Sequence, residues 1–179
     1  MTVPARGLDP EQLRKAGILS NPQNPDQAMK KARALIEQNR YAQATDLLRP
    51  HAARPDGHEN LEVAELLAHC GMGKAPEAHA YARILCRYQQ AKNSQGCARV
   101  LERLAQLSTH TGNFQQADSQ WRLAAGYYDR LGREDQYLAA VCLRGQVPLR
   151  QGHIYRALNR FARHLERLQS LTPRLAAKV

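Results

Sequence analysis

The stretch GNFQQADSQWRLAAGYYDRLG, residues 112–132, recurs in outline forty residues later, and this recurrence constrains the chain more than any other feature. Gly112, Phe114, Ala117, Trp121 and Ala124 are matched by Gly152, Ile154, Ala157, Phe161 and His164. Weaker copies stand at Asn39, Tyr41, Ala44 and Leu48, and at Gly73, Ala75, Ala78, Ala82 and Leu85. The anchors at 39, 73, 112 and 152 lie 34, 39 and 40 residues apart. A glycine or asparagine can take the left-handed conformation that ends one helix tightly, so the next helix folds back at once. The residue two on starts the apolar stripe of the second helix. The alanine five on lets two backbones approach, and the bulky residue nine on fills the groove between neighbouring hairpins. One hairpin alone leaves a face in water; stacking several buries it, so the pattern must recur.

Helix-end signals agree with this parsing. Asn24, Pro25 and Gln27 read as a cap, a first-turn proline and a capping-box glutamine, and Asn113 with Gln116 repeats the cap. Leu131-Gly132 stops a helix, and Pro76 suits the first turn of another. Pro148 stands just before the Gly152 turn, where it is expected to kink or end its helix and bend the last hairpin. Residues 1–24 differ in character. Asp9, Pro10 and Gln12 cap a short helix ended by Gly17, and Asn21-Pro22-Gln23-Asn24-Pro25 is a linker. That arm either docks through Leu13, Ile18 and Leu19 or stays mobile, being too short to hold alone.

At 179 residues the chain suits one domain or a short array of repeats. With aromatic residues at only 6%, the core must rest on Leu and Ala, which favour helices. The start, MTVPARGLDPEQL, lacks a secretory apolar stretch, and nothing approaches the ~18 apolar residues of a membrane span. A cytoplasmic protein without membrane insertion is expected. Cys70, Cys86, Cys97 and Cys142 stand singly, as buried small hydrophobes of a reduced compartment. The net charge of +10 is uneven: residues 1–89 carry 12 Lys and Arg against 10 Asp and Glu, whereas residues 90–179 carry 14 against 6.

The spacing of glycine, aromatic, alanine, bulky residue and alanine resembles the second half of a tetratricopeptide repeat, and the 34-residue step from Asn39 to Gly73 is that family's period. Leu101, Leu104 and Ala105 before Gly112, and Gly145 before Gly152, stand where the family has its upstream residues. The proline expected after the second helix is clear only near Pro55 and Pro173, and the steps of 39 and 40 imply longer helices. The resemblance implies an all-α, right-handed superhelical solenoid of stacked antiparallel hairpins over residues 25–172, with residues 173–179 as a tail. It also implies a concave groove lined by the first helix of each hairpin. Aligned on the anchors, Met29, Arg33, Ile36 and Glu37, then Asn60, Val63 and Leu67, then Arg99, Glu102, Arg103, Gln106 and His110, then Gln146 fall near that groove. In members that clamp acidic chaperone tails, the clamp positions align here with Met29, Arg33, Ala64, Arg99 and Arg103. Arg99 and Arg103 keep the positive charge, but the asparagine that holds the peptide backbone is missing.

The last helix carries the sharpest charge pattern. Ile154, Leu158, Phe161, Leu165 and Leu168 step by four, three, four and three and are expected to face the core. Arg156, Arg160, Arg163 and Arg167 each follow an apolar residue by two, about 200° further round, so they form a stripe opposite it. That stripe is either the polar outer face a terminal repeat needs or a contact for something acidic, a protein or a nucleic-acid backbone. No phosphate loop, HExxH motif or nucleophile elbow occurs, and the seven histidines are scattered. The expectation is a noncatalytic adaptor or chaperone-type module, without cofactor or metal, binding an acidic peptide segment or partner protein in its groove. The alternative is a basic regulatory or nucleic-acid-associated factor acting through the arginine stripe. A homo-oligomer joined at an uncapped end of the array is the third.

Overall fold

The computed structural model describes residues 24–53, 60–71 and 77–176, the side chains of Glu77 and of residues 166–176 excepted. The expectations for the arm over 1–23, for Pro55, Gly73 and Pro76, and for the side chains of Arg167 and Leu168 lie outside the described residues. Among those described, the regular elements are eight α-helices and one 3-10 turn. Contacts cluster into two compact units, Met1–Gly71 and Met72–Val179.

The first unit contains α1 (Pro25–Glu37), α2 (Tyr41–Leu48), the 3-10 turn Arg49–His51 and α3 (Leu61–Cys70). Asn24 caps α1 through Oδ1, which accepts from the Asp26 N–H at 3.3 Å, and Pro25 loses nothing at a position whose N–H has no helical partner. The reversal comes at Asn39, whose φ is 59°, and the Arg40 N–H closes the turn on the Leu35 carbonyl at 2.8 Å. Each of the three helices packs against the other two around Met29, Ala32, Ala44, Leu48 and Val63. Ala32 and Ala44 have no side chain beyond Cβ, which lets the helices close on Leu48 and Val63.

The second unit runs through α4 (Glu77–Gln90), α5 (Ser94–His110), α6 (Phe114–Arg130), α7 (Glu134–Arg150) and α8 (Ile154–Ala176), and α5, α6 and α7 are each 17 residues long. Every twentieth residue is left-handed: Lys92, Gly112, Gly132 and Gly152 have φ of 51°, 75°, 65° and 78°. In each turn the next N–H, from Asn93, Asn113, Arg133 or His153, donates to the carbonyl five residues back, on Tyr88, Ser108, Tyr128 or Pro148. This is the Schellman closure, which satisfies carbonyls the helix end would leave bare. Lys92 accepts the same backbone strain without glycine, which is why the sequence pattern gave no anchor there. The substantial helix contacts in this unit all join consecutive helices, α4 to α5, α5 to α6, α6 to α7 and α7 to α8.

Two helix-end expectations need correction. Asn113 precedes α6, but its side chain donates to Gln116 Oε1 at 2.8 Å instead of capping a backbone N–H. Pro148 does not end α7, which continues to Arg150, and its ring is buried. The core joins Ala98, Leu101 and Ala105 of α5, Ala117, Trp121, Ala124 and Tyr128 of α6, and Ala140, Val141 and Val147 of α7. Two glycines mark the closest approaches. A Cβ on Gly96 would lie 2.5 Å from the Tyr88 ring, and one on Gly145 would lie 2.5 Å from the Phe161 ring.

Candidate functional site

In the first unit, α1 presents Asp26, Met29, Lys30, Arg33 and Glu37 at helical spacing, and with Glu62 of α3 they line a groove of about 550 Å³. Three of the residues expected at a binding groove, Met29, Arg33 and Glu37, thus come together. The lining holds three carboxylates and two cations, so it offers no excess of positive charge to an acidic partner. The other expected residues serve the fold. Val63 is 0% exposed and belongs to the core, and Ile36 and Leu67 pack against that core. Asn60 is occupied as the cap of α3, its Oδ1 accepting from the Val63 N–H at 3.5 Å.

In the second unit, Arg99, Glu102, Arg103 and Gln106 share one half-buried face of α5. Their polar groups are drawn into internal bonds. Arg99 donates to the Tyr88 hydroxyl at 3.5 Å, the Tyr128 hydroxyl donates to Glu102 Oε2 at 2.9 Å, and Arg103 donates to Gln106 Oε1 at 3.1 Å. Tyr88 and Tyr128 are one forty-residue repeat apart, and each turns its hydroxyl on a charged residue of α5. His110 and Gln146 are exposed, on the last turn of α5 and on α7.

The last helix turns a different face inward from the one its apolar steps suggest. Ala157 is buried and Arg160, Phe161 and His164 are half-buried, whereas Ile154, Leu158 and Leu165 are 60%, 57% and 52% exposed. On a helix advancing ~100° per residue, the packed face is rotated by roughly 70° from the apolar stripe. Gly145 explains the rotation, because its bare Cα admits the Phe161 ring and so fixes which side of α8 meets α7. His164 then meets Tyr137, with Nδ1 and the hydroxyl 3.2 Å apart.

The arginines are consequently not a single solvated stripe. Arg156 and Arg163 are exposed, but Arg160 is half-buried between α6 and α7. Its Nη1 binds Asp118 Oδ1 of α6, and Arg144 of α7 forks onto the same carboxylate, Nε to Oδ1 at 3.1 Å and Nη2 to Oδ2 at 3.3 Å. Arg160 Nη1 also donates to the Arg144 carbonyl at 3.3 Å. The reason lies four residues along α7. Pro148 has no N–H, so the Arg144 carbonyl loses its helical partner, and the guanidinium of α8 supplies one. Arg144, Arg156, Asn159, Arg160 and Arg163 line a cleft of about 290 Å³ beside this cluster. Sequence reasoning missed Arg144, Asp118 and Asn159. A signal was present, since Arg144 occupies the repeat position held by the buried Leu104 in the preceding hairpin.

All four cysteines are free thiols, and burial raises the pKa of Cys70 and Cys97 above the ordinary range, with hydrogen bonds from Thr45 and Tyr127 acting the other way. Among the described residues, no group of three or more His, Cys, Asp or Glu could hold a metal ion, and no helix is long and apolar enough to cross a membrane. Comparison with known proteins finds no matching family model, no matching curated protein and no matching solved structure.

Proposed function

We propose that the chain is a noncatalytic helical-repeat module of the adaptor or chaperone type, which binds a peptide or partner protein. The right-handed tetratricopeptide-like solenoid is part of the proposal. It is supported by the twenty-residue rhythm of the turns and by packing between consecutive helices. The observation that carries the binding role is the open α1 groove, where Arg33 and Glu37 offer opposite charges to a segment of mixed character above an apolar floor to which the largely buried Met29 contributes its edge. An extended peptide is the natural occupant of such a surface, because alternate side chains can meet apolar and charged positions in turn. Cytoplasmic residence belongs to the same proposal.

Exchanging the two charges tests it. Arg33→Glu with Glu37→Arg should keep helical circular dichroism unchanged and abolish capture of a partner that co-purifies with the native protein. Retained capture by that double variant removes the groove from the reading. A second reading, a basic regulatory or nucleic-acid-associated factor, is favoured by one observation, the arginine-lined cleft between α7 and α8.

A further inference from the structure

The α7–α8 cleft has a chemistry that the α1 groove lacks. Four guanidinium groups, on Arg144, Arg156, Arg160 and Arg163, line it together with the Asn159 amide. Among the described residues, Asp118 is the one carboxylate paired with any of them. Arg144 and Arg160 are held in place, the first by its fork on Asp118, the second by Asp118 and the carbonyl exposed by Pro148. Arg156 and Arg163 stand about one turn to either side of Arg160, exposed and without an ion-pair partner among the described residues. Counting the described residues alone, three positive charges thus remain uncompensated around one cleft.

We propose that this cleft binds an acidic peptide segment, with carboxylates of the partner meeting Arg156 and Arg163 and the remaining N–H groups of Arg144 and Arg160. Three features select this ligand. Two of the lining arginines already hold a carboxylate beside the cleft, since Arg144 forks onto Asp118 in the two-pronged arrangement that matches carboxylate geometry and Arg160 joins it there. Its lining has no aromatic ring on which a nucleic-acid base could stack. Its volume, about 290 Å³, is at the lower end of ligand pockets, enough for side chains and small for a nucleotide. Arg156 and Arg163 are separated by two helical turns, so a segment with carboxylates roughly 10 Å apart reaches both. Asp118 is an internal competitor in this arrangement, because its single negative charge is shared by two arginines that would otherwise turn to the ligand. The inference rests on the reading of the chain as a protein-binding module but not on the α1 groove.

The test uses the full chain, poly-L-glutamate and a single-stranded RNA of matched charge, with binding followed by fluorescence anisotropy. Poly-glutamate should bind more tightly than the RNA. Arg156→Gln with Arg163→Gln should weaken it about tenfold or more, a loss in keeping with two charge-assisted contacts. Those side chains are exposed, so folding is spared. Asp118→Asn should tighten poly-glutamate binding, whereas a purely structural Asp118 would leave it unchanged or weaken it. Arg33→Gln in the α1 groove should have no effect. RNA binding as tight as that of poly-glutamate overturns the proposal in favour of a nucleic-acid partner. Indifference to the double arginine variant overturns it outright. If the loss follows Arg33→Gln instead, the cleft is refuted while the groove stands.

Discussion

The hairpins α5–α6 and α7–α8 carry the same forty-residue pattern and end up in different physical states. In the inner one, Leu104 and Ala105 of α5 and Trp121 and Ala125 of α6 are all buried. Their counterparts in the outer one are Arg144, Gly145, Phe161 and Leu165, of which only the glycine is buried. The alanine at the start of the second helix, Ala117 or Ala157, is fully buried in both. Asp118 of α6 is covered by arginines of the hairpin that follows it, whereas its counterpart Leu158 lies open. The shared turn and the shared alanine therefore build the hairpin, and the side chains between them decide whether it becomes core or surface.

The largest test of this contrast compares the two bulky residues nine positions after the turn. Trp121→Ala should cost about 3–5 kcal/mol, the range for truncating a fully buried aromatic side chain. Phe161→Ala should cost less than half as much, because its ring is already partly in water. Urea unfolding followed by circular dichroism checks both, and Trp121 fluorescence reports the second variant independently, since it is the one tryptophan of the chain. Equal costs would mean that the outer hairpin is as much core as the inner.

The two glycines sharpen the comparison. Gly96→Ala pushes a methyl to within 2.5 Å of Cδ1 of the Tyr88 ring, close to the ring's attachment and deep in the fold. Overpacking of that kind costs about 1–3 kcal/mol. Gly145→Ala meets the far edge of the half-exposed Phe161 ring, which can swing aside. There the roughly 1 kcal/mol gained from alanine's helix propensity should offset most of the strain. Thermal unfolding that ranks Gly145→Ala as the more damaging change would reverse the assignment of inner and outer.

The same contrast explains what could be read from the letters alone. Turns at Asn39, Gly112, Gly132 and Gly152 were legible because a left-handed residue leaves a compositional mark; the turn at Lys92 left none. The helical class and the buried alanines followed from spacing. The facing of α8 did not, because a stripe of apolar residues says which face prefers burial and not which face its neighbour can admit. Gly145 decided that, and it acts across the hairpin. For the same reason Val63 was placed at a surface it does not reach, and Arg160 was placed in solvent when Pro148 and Asp118 draw it inward.

The link between Pro148 and Arg160 should appear as a coupling of about 1 kcal/mol, the scale of one net hydrogen bond. In Pro148→Ala the N–H returns, and the Arg144 carbonyl regains its helical partner. Arg160→Gln should then cost less than it does in the wild-type chain, and a double-mutant cycle isolates the difference. Strict additivity would show that the guanidinium is held by Asp118 alone. The inner hairpin has no interior proline in α5 or α6, so no such coupling is expected there.

The smallest effect separates the hairpins by their thiols. Cys97 of α5 is buried and Cys142 of α7 is half-buried, so in a chain whose exposed Cys86 is replaced by Ser, Cys142 should react with an alkylating reagent before Cys97, which reacts only as the inner hairpin opens. Burial raises the Cys97 pKa, so as pH climbs past the ordinary thiol range the unfolded chain loses this proton while the folded chain keeps it. The stability tied to that proton is therefore complete below the ordinary range and fades as pH rises through the raised value. Cys97→Ala should flatten this alkaline loss, read from urea unfolding repeated across the alkaline range. If Cys142 is alkylated no faster than Cys97, the two hairpins exclude water equally, and the outer one is more tightly closed than its exposed leucines imply.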